Sequence, residues 1–208
     1  STKRMIVVAP TGVAAINANG VTIHSFFQLP LSPFVPESMV KPRFEYSKQK
    51  RQIMRTLDLL IIDEISMVRA DILDAIDSIL RRFREHNKPF GGVQLLMIGD
   101  LQQLTPIVKP EEEKLLSRYY NTPYFFDSKA LQSTQYVTIE LTKVFRQQDE
   151  VFINILNHFR NGNVTDNDFE ILNKRYQANF NPGKNSDYIH LTTHNRIADN
   201  INDRQLEQ

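Results

Sequence analysis

The sequence predicts an α/β fold, a parallel β-sheet with helices packed over its faces. Two observations predict it. Three short apolar runs, at Met5–Ala9, 57–62 and 93–98, are solid rather than alternating. Strands read that way when both of their faces are covered, as in parallel sheets. Between the last two runs, Ala70–Phe83 carries Ile72, Ile76, Ile79, Leu80 and Phe83 at spacings of three and four, with Asp71, Asp74 and Asp77 opposite. That is the period of a helix with one buried stripe. Strands alternating with helices mark the α/β class.

The other elements follow in order. Residues 136–141 alternate and predict a fourth strand, nearer an edge. Residues 28–46 hold Pro30, Pro33, Pro36 and Pro42 without periodicity, which predicts an extended insertion. Residues 41–55 contain six basic side chains and one acid, Glu45. They are either a solvated helix face or a surface that meets phosphates. Helices are expected at 151–160 and 166–176, separated by a turn at Asn161, Gly162 and Asn163. A strand at 188–192 and a helix at Asn195–Leu206 would then open another α/β domain. The expected division is 1–148 and 149–208, in line with domains of ~100–200 residues.

Composition narrows the chemistry. Lys and Arg number 25 against 24 Asp and Glu, so a polyanionic partner would have to be met by a local patch. The absence of cysteine excludes disulfides and thiolate metal sites. None of the five histidines has the spacing, with an acidic partner, of a zinc helix. No apolar run reaches the ~18 residues of a membrane span, and the opening residues do not form a signal peptide. A cytosolic or nuclear compartment is the default. The first residue is Ser1 rather than Met, so the chain is expected to start inside a longer protein.

Residues 59–67 read LLIIDEISM. An apolar strand ending in Asp63 and Glu64 delivers two carboxylates to the carboxyl edge of a parallel sheet, where ligands bind in open α/β folds. Nucleotide hydrolases use one such carboxylate for Mg²⁺ and another group to activate or orient water. The alternative is a strand end whose Asp caps the next helix. Residues 97–106 read MIGDLQQLTP, so Gln103 either reaches a γ-phosphate or is an exposed loop amide. Arg146 follows the fourth expected strand and is either surface charge or an arginine finger. After the first strand, Thr11 and Gly12 open a helix with exposed backbone amides, a geometry suited to phosphates. His24, Ser25, Phe26 and Phe27 could grip a DNA strand, with bases stacked on the rings. Otherwise the two rings are core and His24 is a turn residue. No GxxxxGK(S/T) phosphate loop occurs in the 208 residues.

Taken in order, APTGVAAINANGVTIHSFF, LLIIDEISMV, MIGDLQQLTPIV and ELTKVFRQ resemble the Pif-one family of superfamily 1B DNA helicases, closest to its bacterial members. The resemblance covers essentially the whole chain. It implies a RecA-like parallel sheet, ATP and Mg²⁺ as cofactors, and a 5′-to-3′ motor on single-stranded DNA that opens duplexes, forks and often G-quadruplexes. It implies Asp63 for Mg²⁺, Glu64 for water activation, Gln103 as γ-phosphate sensor and Arg146 as finger. Thr11, Gly12, His24, Ser25 and Phe26 would meet DNA. The insertion at 28–46 falls where the family carries its wedge, and 188–206 where its second RecA-like domain begins. The phosphate loop is expected upstream of Ser1 and further motor motifs beyond Gln208, so the chain alone is expected to be inactive. A non-catalytic single-stranded-DNA-binding module is the alternative. The family's habit implies a monomer, cytoplasmic in a bacterium and nuclear or mitochondrial in a eukaryote.

Overall fold

The computed structural model describes residues 3–35, 46–180 and 188–206. The chain forms two compact units, Ser1–Thr142 and Lys143–Gln208. The sequence predicts the division six residues further on, at 148/149.

The first unit is built on a parallel sheet of four strands: β1 (Met5–Ala9), β2 (Val21–Thr22), β3 (Leu59–Ile62) and β4 (Gln94–Met97). Their order is β2-β1-β3-β4. The register pairs Val8 with both Val21 and Ile62, and Ile62 with Met97. Because all four strands run the same way, all four carboxyl ends lie at one edge. Six helices accompany the sheet among the described residues: α1 (Gly12–Asn17), α2 (Ile23–Phe27), α3 (Lys48–Thr56), α4 (Ala70–Phe83), α5 (Pro110–Leu116) and α6 (Lys129–Gln132).

One face of the sheet carries the core. Ile6, Val8, Leu60, Ile62, Leu95 and Met97 pack with Ile23 and Phe27 of α2, Met54 of α3, and Leu73, Ile76 and Leu80 of α4. The other face departs from expectation. The solid run at 93–98 predicted cover on both sides, yet Leu96 is 46% and Ile98 45% exposed. Among the described residues, helices cover only one face of β4, so a solid run in sequence behaves as an alternating one in space.

Two expected strands are corrected. Residues 136–141 form no strand, and Val137 is 87% exposed. Residues 188–192 form none either, with Leu191 at 93%. A strand needs a ladder partner for its backbone groups, and neither segment has one among the described residues. The second unit is instead helical: α7 (Glu150–Asn161), α8 (Asp166–Asn173) and α9 (Asn195–Leu206). Asp149 caps α7, and Gly162 ends it at φ 70°. The glycine takes the left-handed conformation that a helix stop demands. Thr165 opens α8 with a capping box, and His158 Nδ1 meets Asp168 Oδ2 at 2.9 Å.

The acidic side of α4 is not a solvated stripe. Asp71 is 1% exposed and doubly bonded to the Arg69 guanidinium, which also reaches Glu112 at 2.8 Å. Asp74 accepts from Tyr120 Oη, Ser128 Oγ and the backbone N–H groups of Lys129 and Ala130. Asp77 pairs with Arg81 and accepts from Phe90 N. All three tie loops to the helix. The insertion is pinned at both ends: Phe34 N donates to Asp71 at 2.9 Å, and Tyr46 Oη to Phe27 O at 2.6 Å. Its middle, residues 36–45, and with it the body of the expected wedge, lies outside the described residues.

Candidate functional site

The carboxyl edge of the sheet collects the residues singled out in the sequence, Arg146 excepted. From β1 the chain enters α1 through Thr11, whose Oγ1 accepts from Ala14 N at 3.2 Å. Gly12 is exposed, and a Cβ built there meets nothing within 4 Å, so its backbone faces open space. From β2 the chain enters α2 through Thr22, whose Oγ1 accepts from Ser25 N at 3.2 Å.

Ser25 is exposed and His24 half-buried. Burial pushes the His24 imidazole below its ordinary pKa, and the Arg69 charge pushes the same way, partly offset by Asp71. Phe26 is different. It is 4% exposed, sits edge-on to Phe27 at 4.8 Å, and has Lys50 Nζ 4.1 Å from its ring centroid. Its ring offers no face on which a base could stack. Of the two readings open for this aromatic pair, the core reading holds for the rings. Phe26 serves the edge by fixing α2, which carries His24 and Ser25.

From β3 come the two carboxylates. Asp63 N donates to Val8 O at 2.9 Å, continuing the ladder with β1. Asp63 Oδ1 accepts from Glu64 N at 3.1 Å. Glu64 turns the chain with φ 51° and ψ 45°, a left-handed conformation, and the short 3-10 turn Ile65–Met67 follows. Both carboxylates are half-buried. They sit close to the β4 exit: Ile98 N donates to Ile62 O at 2.9 Å and Ile65 N to Ile98 O at 2.8 Å. Gly99 makes this approach possible. A Cβ there would stand 2.8 Å from Ile65 Cγ2 and 3.0 Å from the amide nitrogens of Ile65 and Ser66.

Beyond Gly99 the loop folds on Asp100. Gln103 donates its side-chain Nε2 to Asp100 Oδ2 at 3.0 Å and its backbone N to Asp100 O at 3.1 Å. Gln103 is exposed and held in place, a detail that only its three-residue spacing from Asp100 hints at in the sequence. Arg146 belongs to the second unit, where it is exposed. It was expected just past a strand, but the residues before it form none.

The sheet edge therefore unites Thr11, Gly12, His24, Ser25, Asp63, Glu64 and Gln103, with Phe26 beneath. Sequence reasoning missed Arg69, Asp71 and Glu112. Burial opposes the charge on Arg69, but Asp71 and Glu112 outweigh it and raise its pKa. Ser66 was missed too, and its buried Oγ has no partner among the described residues. No group of three or more His, Cys, Asp or Glu among the described residues could hold a metal. A lone carboxylate nonetheless fits Mg²⁺, which keeps most of its waters and takes one or two carboxylates plus phosphate oxygens.

Comparison with known proteins places this edge in a family of nucleic-acid motors. The PIF1-like helicase family matches residues 1–170, and the chain belongs to it. It is 38% identical over 165 residues to the ATP-dependent DNA helicase PIF1 of Saccharomyces cerevisiae, covering 79% of this chain and 18% of that protein. It is 35% identical over 212 residues to the human protein of that name, covering 98% of this chain and 30% of that one. Among solved structures, a Pif1 helicase from Bacteroides in complex with ADP-AlF3 and single-stranded DNA superposes with a TM-score of 0.90 at 44% identity. That match covers all of this chain and 48% of the other. The chain thus spans about half the length of that structure and less than a third of the two curated relatives. The parallel sheet with flanking helices is the RecA-like fold of these helicases.

Proposed function

We propose that this chain carries the water-activating and DNA-gripping parts of an ATP-dependent 5′-to-3′ DNA helicase that acts on single-stranded DNA and forks. One observation carries the reading. Asp63, Glu64 and Gln103 leave adjacent parallel strands whose exits share backbone hydrogen bonds, at the same edge as Thr11, Gly12, His24 and Ser25. Asp63 would hold Mg²⁺, whose chemistry is to neutralise charge on the phosphates of ATP. Glu64 takes the proton of the attacking water. Gln103, steadied by Asp100, contacts the γ-phosphate end, and the resemblance gives Arg146 the role of arginine finger. Thr11 and Gly12 meet the DNA backbone, with His24 and Ser25 beside them. A Pif1 helicase solved with ADP-AlF3 and single-stranded DNA, and another structure described as the basis for DNA unwinding at forked double-stranded DNA by two coordinating Pif1 helicases, support both halves of the reading.

The Pif-one resemblance also suggests a monomeric motor, in the cytoplasm of a bacterium or the nucleus or mitochondrion of a eukaryote. Among the described residues no helix is long and apolar enough to cross a membrane. A second reading is a single-stranded-DNA-binding module without turnover. One experiment separates the two. In the full protein, Glu64→Gln should lower DNA-stimulated ATP hydrolysis by ~10²–10⁴-fold while single-strand affinity holds. A protein that binds single-stranded DNA but shows no turnover even as wild type would favour the module.

A further inference from the structure

Helix α3 reads KQKRQIMRT: four cations and no acid in nine residues. Its inward side holds Met54, fully buried, and Lys50, which lies over the Phe26 ring at 4.1 Å. Its outward side holds Lys48, Arg51 and Arg55 at i, i+3 and i+7, with Gln52 between them at i+4. This spacing makes one stripe along the helix. Arg84 reaches the far end of the stripe, donating from Nη1 to Arg55 O at 2.9 Å.

Nothing among the described residues neutralises the stripe. The nearby acids are engaged elsewhere: Asp58 with Arg4, Asp77 with Arg81 and Glu85 with Lys88. Among the described residues, Lys48, Arg51 and Arg55 form no ion pair. Arg51 and Arg55 are like charges four residues apart, an arrangement that weakens a helix standing alone. A row of anions laid along the stripe would relieve it.

We infer that the Lys48, Arg51 and Arg55 face of α3 holds the phosphate backbone of the duplex arm of a DNA fork. The inference rests on the helicase reading above. Two features select duplex over single strand. The stripe carries no aromatic side chain, so unpaired bases would have nothing to stack on. A duplex hides its bases and presents phosphates at about 3.4 Å of axis per strand. From Lys48 to Arg55 the helix rises roughly 10.5 Å, the length of about three phosphates. The position agrees. The Tyr46 to Phe27 hydrogen bond closes the foot of the insertion, and α3 begins two residues after Tyr46. The Lys50 contact with Phe26 seats that end of α3 beside Ser25. A duplex whose single-stranded tail lies along Ser25 and His24 would run past this face.

The test compares two DNAs on the full protein: a fork with a duplex arm, and its single-stranded tail alone. Both are titrated by fluorescence anisotropy across a salt series. The triple variant Lys48→Gln, Arg51→Gln, Arg55→Gln keeps good helix formers and leaves the core intact, which an unchanged melting temperature verifies. Its fork affinity should fall, and the slope of log K against log salt should flatten by about 2.7. Its tail affinity should not change. The Arg51→Lys, Arg55→Lys variant should keep the fork affinity, since phosphates here need charge rather than a planar fork. Equal loss on both DNAs, or loss on neither, overturns the inference and leaves the helicase reading intact. Wild-type protein that binds neither DNA overturns the helicase reading, and this inference with it.

Discussion

The Asp71 carboxylate accepts the backbone N–H of Phe34 at 2.9 Å, joining the root of the insertion to the first turn of α4 across 37 residues of sequence. The same carboxylate is held by both Nε and Nη2 of Arg69, whose remaining arm binds Glu112. Arg69 thereby ties three separate stretches of chain together, close enough to His24 for its charge to act on the imidazole. Replacing Arg69 with Ala would strand two buried carboxylates. The expected loss of stability is about 3–5 kcal/mol, the usual result of removing one partner of a buried ion pair. Urea denaturation measures it.

Gly99→Ala tests the contact between the β3 and β4 exits. The new methyl group would press on the Ile65 side chain and on the Ile65 and Ser66 amides. Overpacking of this kind costs about 1–3 kcal/mol. Because the displaced backbone adjoins Glu64, turnover per bound nucleotide should fall in the full protein while the Kd for single-stranded DNA stays close to wild type. A drop in melting temperature with an unaltered kcat would show that the contact supports folding alone.

Phe26 separates packing from recognition. Phe26→Ala should cost about 3–5 kcal/mol, as for other large-to-small core changes. Phe26→Leu should keep most of the stability and the single-strand affinity. Ser25→Ala should do the reverse, leaving the melting temperature alone and weakening DNA binding. Anisotropy and thermal melts on the three variants check the pattern.

His24 should impose a pH dependence on folding. Its pKa in the folded protein lies below the ordinary 6.5, through burial first and the Arg69 charge second. The unfolded chain then binds the proton more readily than the folded one. Stability is therefore full above pH 6.5 and declines as pH falls from there towards the lowered folded value. Denaturation curves at pH 7.5 and 5.5 should diverge more for wild type than for His24→Gln. Identical pH dependence in the two proteins would remove His24 as the cause.

Local pattern made much of this molecule readable. The bounds of β1, α4 and α9 were legible to the residue, since a strand's apolar run and a helix's period are written within the element itself. The ordered pair Asp63 and Glu64 at a strand end pointed to the sheet edge for the same reason. What escaped depends on partners remote in sequence. Residues 136–141 alternate as a strand should, but alternation supplies no neighbouring ladder. Asp71 and Asp74 had the look of a wet helix face, yet Glu112, Tyr120 and Ser128, some 40 to 54 residues on, help to enclose them. The rings of Phe26 and Phe27 fit equally a base platform and a core until the position of α3 resolved the choice.

Glu64 holds its backbone at φ 51° and ψ 45°, where every residue with a Cβ crowds its own carbonyl. Glycine would sit there without that penalty of roughly 1–2 kcal/mol. A chain shaped only to resist unfolding would thus have no use for a glutamate at this turn. On the role proposed for Glu64, Glu64→Gly should accordingly yield a full protein with a higher melting temperature and little ATP turnover, so that durability and work trade against each other at one peptide unit.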